Sequence, residues 1–458
     1  MQFRPRLALA TPSNCSEPAI ASLAMMAALK SRGTTVQHFR SRACLTASGI
    51  VGQVTGLPGR HLDAWLMPRQ TIREVYVRGA LHADFGIVEG TLEDVGHKVE
   101  WGSRMANRYE GYDRPGGLAP IAAALDLPCV AVVDISREDD VHFPKLHPQV
   151  DAILIDGVVD RSRYDSIRRF VESVLKKPVI GAVDVMPQLR TAIRDAPVDQ
   201  PMPPEWFEVL GSSFNRFADW ETINNLAESR PFPDCSLSES QLLPIFRPFK
   251  LGYAQDEVFG GYFPDTLEML EILGAEMIPF SPLRDEDIPK NVDLIMIGCG
   301  VPDHHIDAIT SNHSLMNALR LHVCKGRKLY SEGGGTAYLS RIMKVNGKEY
   351  PGVGIFPFTA DLRKDPGPPI PVERTTTRDG WLLGPKGMGM RGYKSQRWKH
   401  IPFPEPDDDP AFAGTLTVEG DVFYRKNAVG GMLHLHLGAF PEVVAAFANP
   451  PARSLSPH

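Results

Sequence analysis

The sequence predicts an α/β protein built from two doubly wound domains, and three observations lead there. Its short apolar runs lack the in–out alternation of a half-exposed sheet, so they read as strands buried on both faces. Those runs alternate with helical segments, the arrangement that gives parallel sheets covered by helices. The pattern is then broken between Thr191 and Pro248, where Pro201, Pro203, Pro204, Pro231 and Pro233 cluster, before a second α/β series starts at Phe249. A chain of 458 residues has room for two or three such domains, each with a buried core.

Taken in order, Arg6 to Ala10 reads as the first buried strand and Ile20 to Lys30 as a helix with alanine and methionine on its faces. Gly33 ends that helix, and Thr35 to Phe39 opens the next strand. Further strands fall at Phe85 to Val88, Cys129 to Val133, Ala152 to Ile155 and Val179 to Val183, with helices at Ile121 to Leu125 and Ser166 to Leu175. The second series runs through Lys250 to Ala254, the helix Pro264 to Leu273, then Glu276 to Phe280, Val292 to Ile297 and Lys328 to Ser331. A second proline-rich stretch, Phe356 to Val372, precedes a C-terminal portion ending near Met432 to Phe440. The domain boundaries expected are 1–190, a linker over 191–248, 249–448, and a loose tail over 449–458.

Composition narrows the function classes. Hydrophobic residues make up 43% and charged residues 23%, the balance of a globular chain and not of a disordered one. A net charge of −6, with basic residues dispersed, gives no electrostatic footprint for nucleic acid. The apolar run Ile20 to Leu29 is far shorter than a membrane span, so no membrane is expected. Cys15, Cys44, Cys129, Cys235, Cys299 and Cys324 are widely spaced with no C-x-x-C pair, which reads as free thiols in a reducing, cytoplasmic setting.

The motifs carry more. In the second half, Ala254 to Glu271 reads A-Q-D-E-V-F-G-G-Y-F-P-D-T-L-E-M-L-E and Pro279 to Pro289 reads P-F-S-P-L-R-D-E-D-I-P. I-G-C-G-V-P-D follows at Ile297 to Asp303, S-E-G-G-G-T-A-Y-L at Ser331 to Leu339 and H-L-H at His434 to His436. In the first half stand T-G-L-P-G-R-H-L-D-A-W-L-M (Thr55 to Met67), I-V-E-G (Ile87 to Gly90), G-G-L-A-P-I-A-A-A-L (Gly116 to Leu125) and L-P-C-V-A-V-V-D (Leu127 to Asp134). In these motifs and their order the chain resembles the cobyrinic acid a,c-diamide synthase family, most closely in its second half. The resemblance implies a P-loop-NTPase-like, dethiobiotin-synthetase-like N-terminal domain and a class I glutamine-amidotransferase-like C-terminal domain. It also implies the family reaction, in which ATP and magnesium activate two carboxylates of a corrin precursor and ammonia from glutamine amidates them.

Neither family centre is intact. Glutamine hydrolysis needs a thiolate on a sharp strand-to-helix turn, a base to activate it, and amide donors for the oxyanion. The turn is here, but Gly333 occupies the nucleophile position and leaves His434, at the base position, with nothing to deprotonate. Gly298, Cys299 and Gly300 match the oxyanion loop. Ser331 and Cys299 are the two side chains that could stand in for the nucleophile; neither is expected to, and His434 and His436 also read as structural strand histidines. The pair lacks a third ligand for a metal.

At the phosphate loop, Thr11 to Ala19 reads T-P-S-N-C-S-E-P-A. Pro18 stands where a P-loop has its lysine, Ala19 replaces the magnesium hydroxyl, and Glu17 adds a negative charge. Ser13, Asn14 and Ser16 could still donate to an anion at the helix start, beside Thr11. Glu89 and Asp134 match acidic positions expected to support magnesium, and Asp156 lies near the base-contacting position; each also reads as an ordinary strand-end carboxylate. Arg40, Arg42, Arg60 and His61 could grip tetrapyrrole carboxylates. Two readings follow: a catalytically degenerate paralogue that binds or regulates, alone, as a homo-oligomer or with an active paralogue, or an amidoligase with altered use of ATP and ammonia. A tetrapyrrole or another anionic small molecule is the expected ligand of either, and neither ATP nor magnesium is a firm cofactor expectation.

Overall fold

The structure, a computed structural model, describes residues 5–11, 18–43, 45, 49–92, 116–136, 146–197, 200–231, 248–375, 389–403, 417–419 and 422–439. The chain divides into two compact units, Met1–Leu237 and Ser238–His458. The expected loose tail lies outside the described residues, as do Cys15, Cys44 and Cys235.

In the first unit the order is β1 (Arg6–Ala10), α1 (Ile20–Ser31), β2 (Val36–Arg40), α2 (Ile50–Thr55), β3 (Arg60–His61), α3 (Arg69–Gly79) and β4 (Phe85–Gly90). Then come α4 (Leu118–Leu125), β5 (Cys129–Asp134), β6 (Val150–Val158), α5 (Arg161–Phe170), β7 (Val179–Asp184), α6 (Pro187–Asp195), α7 (Pro204–Phe217) and α8 (Trp220–Ala227). The seven strands form one sheet in the order β3-β2-β4-β1-β5-β6-β7. Every pairing in it is parallel. All five residues of β1 are buried, as a central strand covered on both faces requires.

The segment 191–248, expected as a linker, is corrected over its helical part. Leu210 and Phe214 of α7 and Ile223 and Ala227 of α8 are buried in the same core as Leu23, Met26 and Ala27 of α1. Gly211 is where α7 meets α1: a Cβ there would lie 3.1 Å from the Ala27 carbonyl carbon. Pro204 does not break structure here; it opens α7, where a missing N–H costs nothing.

The second unit contains β8 (Phe249–Ala254), β9 (Phe259–Gly261), α9 (Pro264–Ile272), β10 (Ala275–Phe280), β11 (Leu294–Ile297), β12 (Cys299–Gly300), α10 (Ile306–Ser311) and α11 (His313–Cys324). It continues with β13 (Lys328–Glu332), α12 (Gly334–Tyr338), β14 (Ser340–Val345), β15 (Lys348–Pro351), β16 (Phe356–Leu362), β17 (Ile370–Thr375), β18 (Gly389–Lys394) and β19 (Trp398–Pro402). Last come β20 (Thr417–Glu419), β21 (Val422–Arg425), β22 (Ala428–Gly431) and β23 (Leu433–His434). Its main sheet runs β10-β8-β11-β13-β22-β21-β20, parallel as far as β22 and antiparallel at β21 and β20. The proline-rich stretch Phe356 to Val372 is largely strand, because β16 buries Phe356, Phe358 and Ala360 on alternate positions.

If α7 is part of the first core, Phe214→Ala should destabilise that unit by about 3–5 kcal/mol. Denaturant unfolding checks this, and a change below about 1 kcal/mol would show that the helix adds little to the core.

Candidate functional site

In the first unit the chain passes from β4 to β5 across β1, so the crevice of this sheet opens at the C-terminal ends of those three strands. Thr11 stands there, its N–H donating to Gly90 O at 2.8 Å and its hydroxyl to the same oxygen at 3.2 Å. Ser13, Asn14, Ser16 and Glu17 lie outside the described residues, and Pro18 is buried.

Glu89, at the end of β4, is 2% exposed. One carboxylate oxygen accepts the Ala19 N–H at 2.7 Å and the other meets His38 Nε2 at 2.9 Å. The strand register brings Arg40 alongside Glu89 and His61 alongside Arg40. Burial works to raise the Glu89 pKa, but the His38 hydrogen bond and charge, then Arg40 and the Ala19 N–H, outweigh it and hold the carboxyl below its ordinary range. α1 has no side-chain cap of its own at this end. Glu89 therefore does for the start of α1 what a bound phosphate does for a P-loop helix.

Magnesium–ATP in the P-loop manner does not fit these residues. Pro18 offers neither an ammonium nor an N–H, Ala19 has no hydroxyl, and the Ala19 N–H is already bonded to Glu89. Asp134 accepts the Ser136 N–H at 2.8 Å, a turn-capping contact. Asp156, its register neighbour, is paired with Arg190 through both carboxylate oxygens, one contact measuring 3.1 Å. Burial raises the Asp156 pKa against that pairing. Arg60 is buried with its stem against Gly79 of α3 and beside Phe39, a packing position. His38 and Arg190 were not singled out by the motifs. The signal for His38 was a polar residue in the middle of a buried strand.

The second unit keeps the turn in full. Gly333 links β13 to α12 at φ +52° and ψ −117°, a backbone that L-residues adopt only under strain. The three glycines are not equivalent. A Cβ at Gly334 would collide with the Gly300 carbonyl, and one at Gly335 with those of Ile297 and Gly298. At Gly333 a Cβ would instead lie 3.1 Å from Cys299 Sγ and 3.3 Å from His434 Nε2. Packing thus forbids a side chain at 334 and 335, whereas at 333 the contacts are tight without collision and the positive φ strains any L-residue. The turn faces His434, and residue 333 on it carries no side chain.

The surrounding groups are buried and polar. Glu332 accepts hydrogen bonds from Tyr330 Oη, from the Leu435 N–H at 3.3 Å and from Cys299 Sγ at 3.8 Å. Burial nevertheless pushes its carboxyl up to about 7. His434 sits on β23 opposite Tyr393 of β18. It is 6% exposed, burial pushes it down to about 4, and its Nδ1 has no partner among the described residues. In the oxyanion loop the Gly298 N–H donates to Tyr262 Oη at 3.0 Å, which in turn donates to Ala254 O at 2.8 Å. That amide is spent inside the protein. Ser331 is fully buried and bonded to Thr336 Oγ1 at 2.9 Å, so it is no substitute nucleophile. His436 lies 3.7 Å from Asp265, and its ring is tilted against that of Phe263. Among the described residues no group of three or more His, Cys, Asp or Glu could hold a metal, and no helix is long and apolar enough to cross a membrane. Glu332, Tyr330 and Tyr262 were missed, although Glu332 adjoins the glycine turn in S-E-G-G-G.

These features define a glutamine-amidotransferase-like unit. Residues 250–439 match the CobB/CobQ-like glutamine amidotransferase domain. The chain is also 25% identical over 472 aligned positions to the cobyrinate a,c-diamide synthase of Dehalococcoides mccartyi (strain CBDB1), covering 97% of both proteins. It is 24% identical to the enzyme of that name from Listeria innocua serovar 6a, over 96% of this chain and 98% of that one. It is 27% identical to the one from Syntrophotalea carbinolica, over 97% and 98%. The chain is thus similar to proteins named cobyrinate a,c-diamide synthase along almost its whole length.

Two measurements follow from this geometry. A cysteine introduced as Gly333→Cys would have its Cβ 3.7 Å from Cys299 Cβ, within the range a disulfide spans. Mild oxidation should therefore join the two, seen as loss of free thiol and a linked peptide; two thiols that stay separate would contradict this placement. The second concerns pH. Glu332 has a folded pKa raised from 4.5 to about 7, so its penalty is absent below pH 4.5, grows as pH rises, and is complete above 7. Glu332→Gln should remove roughly 3 kcal/mol of instability at pH 8 and leave pH 4 stability nearly unchanged. Denaturant midpoints at the two pH values test it.

Proposed function

We propose that this chain is a descendant of the cobyrinate a,c-diamide synthases that no longer couples ATP and glutamine to amidation, and that it serves as a binding or regulatory protein for a carboxylated tetrapyrrole or a similar anion. The observation that carries the reading is Gly333, which stands on the sharp turn facing His434 and has no side chain to act as a nucleophile. Glu89 supports it from the other unit by filling the start of α1 with an internal carboxylate. One lost centre could be bypassed with free ammonia. Two independent losses remove both the ammonia source and the acid-activating step. A scaffold outlives its chemistry, so binding can persist where turnover does not.

The test is an assay of the full-length protein with glutamine, ATP, magnesium and cobyrinic acid. The expected result is no glutamate and no ADP above a protein-free control, with either glutamine or ammonium as donor. Glutamate and ADP formed together with an amidated product would instead establish the second reading, an amidoligase with altered use of ATP and ammonia. Retention of His434 is the feature that favours that alternative.

A further inference from the structure

After a strand of a parallel sheet the chain usually returns as a helix laid on the sheet's face. For β7 that helix is α7. A Cβ at Gly181 of β7 would lie 3.2 Å from the Ala218 Cα and 3.6 Å from the Phe214 ring. The Ser213 hydroxyl accepts the Asp184 N–H at 2.9 Å. α6 is an insertion between the two, made at the carboxyl end of β7 before the chain turns back. Ile193 is the residue of α6 that is buried, with Leu189 packed partly beside the same core.

The way into α6 is strained. The Val185 N–H donates to Val158 O at 3.0 Å, which fixes the chain to the end of β6. The next residue, Met186, stands at φ +35° and ψ +58°, a left-handed conformation that a side chain bearing Cβ adopts at a cost. One turn into the helix, Arg190 reaches back to the sheet. It donates to both carboxylate oxygens of Asp156, one contact measuring 3.1 Å, and to Asp184 O at 3.0 Å.

We propose that α6 is a lid over the carboxyl end of β6, hinged at Met186 and latched by the Arg190–Asp156 pair. Strain at the hinge favours opening and the ion pair favours closure. The latch is a balanced one. Asp156 is 7% exposed, and burial raises its pKa even against the Arg190 bonds. Arg190 Nε is buried with no hydrogen-bond partner among the described residues. A buried pair whose desolvation is incompletely offset holds its element only loosely. Opening uncovers Asp156 and its register neighbour Asp134, and releases a guanidinium beside them. Such a lid gates that end of the sheet whether the unit turns a substrate over or only binds one.

The test is hydrogen exchange read by mass spectrometry on the full-length protein, comparing wild type with Arg190→Ala and Asp156→Asn at one pH. In both variants the amides of residues 187–195 should exchange at least about 10-fold faster, while those of α7 and β6 keep their wild-type rates. Wild-type rates over 187–195 in both variants would show that the pair is no latch. Faster exchange spread through α7 and the sheet would show that the pair ties the core together and that α6 does not open by itself. Either result would overturn the inference.

Discussion

A carboxylate buried at the C-terminal edge of a parallel sheet has to be hydrogen-bonded, paired or protonated, because its desolvation is too costly otherwise. In each unit one such carboxylate sits at the candidate site, and the neighbouring groups are arranged around it. In the first unit Glu89 is ionised, paired with His38 and bonded to the Ala19 N–H, so it ties β4 to β2 and to the start of α1. In the second, Glu332 collects three donors and burial still raises its pKa. The two carboxylates sit in comparable places and behave oppositely. A histidine across a strand is what separates them: Glu89 has one in contact, and His434 makes no hydrogen bond with Glu332.

Much of the fold was legible because burial on both faces leaves a plain mark. Arg6 to Ala10, Cys129 to Val133 and Val292 to Ile297 read as strands because they are mostly apolar, and the structure has strands at Arg6–Ala10, Cys129–Asp134 and Leu294–Ile297. The 191–248 segment misled because proline density looks the same at a helix start as in a linker; only the tertiary contact of Phe214 and Gly211 with α1 distinguishes them. At the site, Gly333 and His434 were singled out by their motifs, and the structure brings the two together at the turn. The roles of Glu332 and His38 were not, because they depend on which buried groups face each other across strands far apart in sequence. Cys299 was visible as a residue but not as a neighbour of the turn, which only the packing of residues 297–300 on Gly334 and Gly335 reveals.

The loop at residues 297–300 and the glycine turn are complementary at the backbone, since a Cβ at Gly334 or Gly335 would collide with the carbonyls of that loop, and at Gly333 the nearest neighbours are side-chain atoms of Cys299 and His434. In the first unit the start of α1 is held by an internal carboxylate, that of Glu89.

The central claim, that this scaffold has exchanged nucleotide chemistry for ligand binding, is tested most directly by thermal-shift titration of the purified protein. Ligands that bind only the folded state stabilise it as RT ln(1 + [L]/Kd), so weak binding is still visible at high ligand concentration. A rise in Tm with cobyrinic acid or a related tetrapyrrole carboxylate, and none with magnesium–ATP, is the expected result. A saturable rise with magnesium–ATP would show that the 11–19 loop still holds a nucleotide, and would contradict the account.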